Sequence, residues 1–210
     1  MSTPSPNAWK AADQALLQII DSANAEAARK SGNWLACRPG CSQCCLGAFP
    51  IGQLDVRRLQ EGLEELKEHD PARAERVIAR AQDAVERLRC DFPGDAATGI
   101  LGESEVDEAR FEDFANDEAC PALDPETQTC DLYAARPMTC RVFGPAVRGS
   151  DGAVGACELC YHGASDAEIA ECAVKMDPDD TEGVLTETLE AETGVQGSTI
   201  VAWCLASTTL

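Results

Sequence analysis

The stretch CRPGCSQCC, residues 37–45, puts four cysteines into nine residues, with Pro39 and Gly40 bending the chain between them. A second cysteine-rich stretch, CPALDPETQTCDLYAARPMTCR, runs from Cys120 to Arg141, and CELC follows at 157–160. What these thiols hold decides how the chain folds. The options are disulfide staples, a redox-active dithiol, zinc ligands and iron–sulfur ligands.

At 210 residues the chain is long enough to bury a sizeable core without staples, since a chain of this size removes roughly 70% of its unfolded surface from water. Aromatic residues are only 5% of the composition, so Ala, Leu, Val and Ile must supply most of the packing. The formal net charge is −20, from 17 basic and 37 acidic residues. A phosphate backbone is bound by clustered Lys and Arg, so this balance excludes nucleic acid as a partner, and anionic membrane surfaces for the same reason. The opening MSTPSPNAWKAADQ has no basic segment leading into an apolar one, and no apolar run is long enough for a membrane helix. The expected location is the cytoplasm, where thiols stay reduced.

The organisation reads as a single domain over 1–210, mainly α-helical, with irregular cysteine-rich loops and a small β-hairpin around a metal centre. Its core is 37–145 with an acidic insert at 91–119, and 146–210 form a C-terminal extension. A helix is expected over 7–31, where Trp9, Ala12, Leu16, Ile19, Ala23 and Ala27 recur at three- and four-residue spacing and Gly32 ends it. Another covers 53–67, with Leu59, Leu63 and Leu66 on one face. A third covers 71–90, with Asp70 as N-cap, Pro71 at the first position and Val77, Ala81, Val85 and Leu88 as the apolar stripe. Its arginines, Arg73, Arg76, Arg80, Arg87 and Arg89, interleave with Glu75, Asp83 and Glu86 and read as a solvated face. Residues 91–119 hold ten acidic residues against Arg110 and read as a mobile acidic loop with a short helix near 103–114. Residues 120–133 read as a hairpin whose DPET turn brings Cys120 and Cys130 together, and Pro137 opens a short helix. The capping box SDAE opens a helix at 166–176, another lies near 181–192, and an apolar segment covers 198–206.

Twelve cysteines is an even number, which keeps a disulfide framework in play. Against it stand the absence of an export signal, a chain able to fold unaided, and tight clustering. Cys90, Cys172 and Cys204 lie in apolar helical contexts and read as packing residues. The nine others, Cys37, Cys41, Cys44, Cys45, Cys120, Cys130, Cys140, Cys157 and Cys160, lie in turn-rich segments and are the candidate metal ligands. Thiolates repel one another and are costly to desolvate, so packing many together requires cations. The pairs Cys41–Cys44 and Cys157–Cys160 have the C-x2-C spacing usual for zinc, and a [4Fe–4S] cluster also takes four cysteines. The C-x3-C-x2-C spacing of 37–44 also occurs in radical-SAM enzymes, but Gln43 stands where an aromatic residue is usual, and no repeating strand–helix pattern supports a barrel.

Taken in order, CRPGCSQCC, Cys120-Pro121, Leu123-Asp124, Cys130, Tyr133, Arg136-Pro137 and Cys140-Arg141 resemble the YkgJ-type cysteine-cluster proteins, the CxxCxxCC zinc- or iron-chelating family. The match spans 37–145. The resemblance implies metal chelation by Cys37, Cys41, Cys44, Cys45, Cys120, Cys130 and Cys140, and leaves open whether Cys157 and Cys160 complete that site or form another. Flagellin lysine methylases carry a similar cysteine cluster associated with an iron–sulfur centre, which favours a [4Fe–4S] cluster over zinc. Arg136 and Arg141 flank the second half-site, either donating hydrogen bonds to sulfur or pairing with the acidic surface. His69 and His162 read as solvent-facing.

Three functional classes follow. The first is a cluster-binding module for electron transfer, sensing or support of a partner enzyme, with a protein or redox partner. The second is a zinc-binding structural or metal-delivery protein. The third is a protein-modifying enzyme related to the methylases. No Gly-rich nucleotide loop, Ser–His–Asp set or HExxH accompanies the cysteines, so the sequence supports binding better than catalysis.

Overall fold

The computed structural model describes residues 8–207. Within that range the protein is mainly α-helical with short antiparallel hairpins, as the sequence leads one to expect. Its backbone divides into two compact units, each built from two separate stretches of chain. The first comprises residues 8–38 and 138–194, the second residues 39–137 and 195–207.

In the first unit, α1 (Ala8–Ser31) packs against α5 (Met138–Val142), α6 (Asp166–Cys172) and α7 (Thr181–Thr193). The buried face of α1 is Asp13, Leu16, Ile20, Ala27 and Ser31. Ile19, expected on that face, is 49% exposed, because adding Ile20 to the stripe rotates it by one residue. Strands β5 (Val147–Arg148) and β6 (Val154–Gly155) form a hairpin, and α6 opens on the expected capping box between Ser165 and Glu168. That helix stops at Cys172, so Met176 lies beyond its end. Tyr161 and Cys157, Cys160 and Cys172 form the local core, with Trp34 and Ile169 packed against it. The Tyr161 hydroxyl anchors this core, 2.6 Å from Ser31 Oγ and accepting the Ala146 N–H.

In the second unit, α2 (Gln53–His69) and α3 (Pro71–Leu88) pack against each other and against α8 (Val201–Ala206). Asp70 caps α3 by accepting the Arg73 N–H, and Pro71 follows at its first turn, where the missing N–H costs nothing. The main core gathers Ile51, Leu59, Leu63, Val77, Ala81, Leu132 and Leu205. The apolar tail segment therefore closes the α2–α3 pair.

The insert at 91–119 contains the expected short helix but is otherwise not the mobile loop expected. It forms strands β1 (Gly94–Asp95) and β2 (Ile100–Leu101) and helix α4 (Glu105–Glu112), and it buries Phe92 and Phe114 with Trp203 in a second core. Phe92 meets Phe114 edge-on at 5.8 Å and lies 4.2 Å from the Trp203 ring. Two phenylalanines in a strongly acidic segment suffice to hold it, since each buries a large apolar area. Cys90, expected to pack, is exposed, because α3 ends two residues before it. Among the described residues, no helix is long and apolar enough to cross a membrane.

Candidate metal centre

Both cysteine-rich stretches contribute to the second unit, and backbone hydrogen bonds join them there. Gly40 and Gly47 take left-handed φ values of 86° and 85°, which bracket a tight 3-10 turn at Gln43–Cys45. Leu46 bridges to Ala119, the Gly47 N–H donates to the Glu118 carbonyl at 2.9 Å, and the Cys120 N–H donates to the Cys45 carbonyl at 2.7 Å. The hairpin of β3 (Leu123–Asp124) and β4 (Thr129–Cys130) follows, with Leu123 opposite Cys130. Its turn is the one expected: Asp124 Oδ1 accepts the N–H groups of Glu126 and Thr127, as an aspartate does when it mimics a backbone turn. Gln128 closes the turn at φ 55°, and Ser42 Oγ donates to its side-chain carbonyl at 2.7 Å, tying the first stretch to the hairpin a second time.

Four thiols in this unit act on one another. The Cys45 thiol donates a hydrogen bond to the Cys44 sulfur, which with the Arg136 guanidinium lowers the Cys44 pKa from 9.0 to about 6. Adjacent side chains ordinarily diverge, but the 3-10 turn brings this pair into contact. Cys45 is driven strongly the other way, first by holding that hydrogen bond, then by burial and by repulsion from Cys44, Cys120 and Cys130. Burial pushes Cys120 up to about 12, and Cys130 and Cys44 add repulsion. Burial also raises Cys130, with the Asp131 charge contributing. The cluster thus carries one favoured thiolate and three thiols whose protons only a cation would displace readily.

Arg136 lies over the Tyr133 ring, 4.0 Å from its centroid, and donates to the Tyr133 carbonyl at 2.8 Å. It reaches the thiols through its charge. Cys41 is half-buried in the same loop.

The other candidates fall in the first unit. Cys37 is exposed, and its Sγ rests on Gly144, where a Cβ would come within 2.6 Å of it. The Gly144 carbonyl accepts the Cys157 N–H at 3.1 Å, the Cys160 N–H closes a turn onto the Cys157 carbonyl, and Cys160 Sγ accepts the Ala36 N–H at 3.4 Å. Cys140 is half-buried on α5, and Arg141 is buried there with Asp21 3.4 Å away. Cys172 and Cys204 are buried as expected of packing residues, and His69 and His162 are exposed.

Four neighbouring thiols whose ionised forms would repel one another suit the chemistry of either zinc or a [4Fe–4S] cluster, both of which take four thiolates. Among the described residues, no three Cys, His, Asp or Glu side chains already stand in a metal-binding array. Sequence reasoning missed the arginines that grip the hairpin from α3. Arg73 Nε and a terminal nitrogen of Arg80 lie 2.7 and 2.6 Å from the carboxylate of Asp131. The sign alternation along α3 suggested solvated residues, and only the hairpin's position reveals their partner.

No curated protein and no solved structure matches the chain. A family model described as "CxxCxxCC: Putative zinc- or iron-chelating domain" matches residues 36–173. That span includes all nine candidate cysteines and both halves of the thiol cluster. The chain belongs to the CxxCxxCC family of zinc- or iron-chelating domains.

Proposed function

We propose that the protein binds a [4Fe–4S] cluster through Cys44, Cys45, Cys120 and Cys130, with Cys41 beside them in the same loop, and uses it for electron transfer, sensing or support of a partner enzyme. The supporting observation is the electrostatic coupling of these four thiols within one unit. Ionising four such groups together is unfavourable without a cation, and a bound metal supplies the charge that lets them deprotonate. Cys37, Cys140, Cys157 and Cys160 are further proposed ligands, held in the first unit. A cytoplasmic location would keep all nine thiols reduced. A protein or redox partner is part of the same proposal.

Zinc is the second reading, favoured by the C-x2-C spacing of Cys41–Cys44 and Cys157–Cys160. Anaerobic purification with metal and acid-labile sulfide analysis separates the two. A brown protein with a broad charge-transfer band and stoichiometric sulfide supports the cluster. A colourless protein with stoichiometric zinc and no sulfide overturns it, and a protein that takes up neither metal overturns metal binding by these thiols.

A further inference from the structure

A single guanidinium holds both the residue that follows Cys120 and the residue that follows Cys130. Arg80 on α3 donates from Nε to the Pro121 carbonyl at 2.8 Å and from a terminal nitrogen to Asp131 Oδ2 at 2.6 Å. Pro121 follows Cys120, and Asp131 follows Cys130. A guanidinium is planar with its donors in a fixed fork, so gripping both points sets the distance between them.

The Asp131 side chain is only 1% exposed, and a second cation, Arg73, stands 2.7 Å from its other oxygen. That oxygen, Oδ1, is buried and accepts no hydrogen bond among the described residues, so Arg73 acts on it as a charge. Asp131 is thus held from both sides by cations on α3. Anchoring the hairpin does not need this arrangement. Ala122 and Leu132 already bury into the apolar core on either side of it, and buried ion pairs are a costly way to add stability.

We propose that Arg80 and Asp131, with Arg73 in support, are positioning residues for the metal centre: they set the separation of Cys120 and Cys130. This rests on the metal-centre reading above. Partners of this kind, once removed, cost metal sites about 10- to 100-fold in affinity.

The test titrates the full, reduced chain anaerobically with Co2+, whose thiolate charge-transfer bands report ligand geometry. The bands read are those that Cys120→Ser removes. Arg80→Lys keeps the charge and loses the fork, and the double variant Arg80→Met with Asp131→Leu replaces both partners by apolar groups. Both are expected to bind Co2+ at least about 10-fold more weakly, with altered bands. Arg73→Met is expected to weaken binding less. Wild-type affinity and bands in Arg80→Lys overturn the positioning role, and that variant decides the matter if the double variant fails to fold. A wild-type chain that takes no Co2+ overturns the metal-centre reading itself, and the positioning role with it.

Discussion

The backbone N–H of Cys120 donates to the carbonyl of Cys45 at 2.7 Å, so the two cysteine-rich stretches of the second unit meet at two of their own cysteines. The half-sites are thereby in register before any ligand arrives. Loss of either half should then cost the metal equally. Cys44→Ser and Cys120→Ser should each lower bound metal per chain to a similar extent, whereas Cys90→Ala should leave it unchanged. Metal analysis of anaerobically prepared variants checks this.

Cys44 should titrate well below an ordinary thiol. In the metal-free chain its pKa of about 6 lies under the usual 9.0, so between these values the folded state holds a thiolate where the unfolded state holds a thiol. Unfolding takes up a proton in that window. The stability Cys44 contributes is therefore complete above pH 9 and is lost as pH falls through 6. Alkylation of Cys44, followed by peptide mass spectrometry against pH, should show a midpoint near 6. Cys45→Ala should move that midpoint up, because the donated hydrogen bond is the largest cause of the shift.

The remaining thiols should sort by burial. Cys204, inside α8, is pushed up to about 12 by burial and by the Asp55 charge, and its Sγ donates to the Val56 carbonyl at 3.7 Å. Cys172 donates to the Lys30 carbonyl at 3.4 Å. Both should resist alkylation until the chain unfolds, while exposed Cys90 reacts at once. Timed labelling in native buffer and in denaturant distinguishes the two classes.

Removing the metal should destabilise the chain. A ligand that binds only the folded state adds about 4 kcal/mol when present at a thousandfold excess over its Kd. Chelation under reducing conditions should lower the melting temperature by an amount that grows with the metal concentration of the untreated sample. A melting temperature indifferent to chelation would count against a metal held by the folded chain.

Gly62 on α2 should not accept a side chain. A Cβ there would overlap the Ala135 methyl in the 3-10 turn Tyr133–Ala135, which follows the hairpin. Gly62→Ala gains up to about 1 kcal/mol in helix propensity. It forces apart elements already in contact, and such overpacking costs typically 1–3 kcal/mol. The expected net effect is destabilisation, measured by denaturant midpoint.

The helices were legible because their apolar periodicity and caps are local signals. Val77 and Ala81 of the α3 stripe are buried as read, with Ala74 and Ala84 beside them and Val85 and Leu88 partly buried. The Asp70–Pro71 start appears as read, and the capping box at Ser165 is present in full. Within the insert at 91–119 only the short helix was legible, because Phe92 and Phe114 acquire their meaning only from Trp203, far along the chain. Arg73 and Arg80 failed for the same reason: an arginine paired with a distant carboxylate has the same local pattern as a solvated one. The cysteine motifs announced thiol chemistry plainly. The contact between Cys44 and Cys45 depends on a 3-10 turn that spacing alone does not specify.

Neither unit is continuous in sequence, and this orders events during synthesis. Domains generally fold as units, from the N-terminal end as the chain emerges. The second unit, however, has Leu205 in its main core and Trp203 in its aromatic one, both on α8. Every cysteine of the candidate centre leaves the ribosome before that helix. During that interval the thiols stand in an unfinished unit, open to oxidation or to the wrong ion. Incorporation of a metal there should then wait on the closing helix.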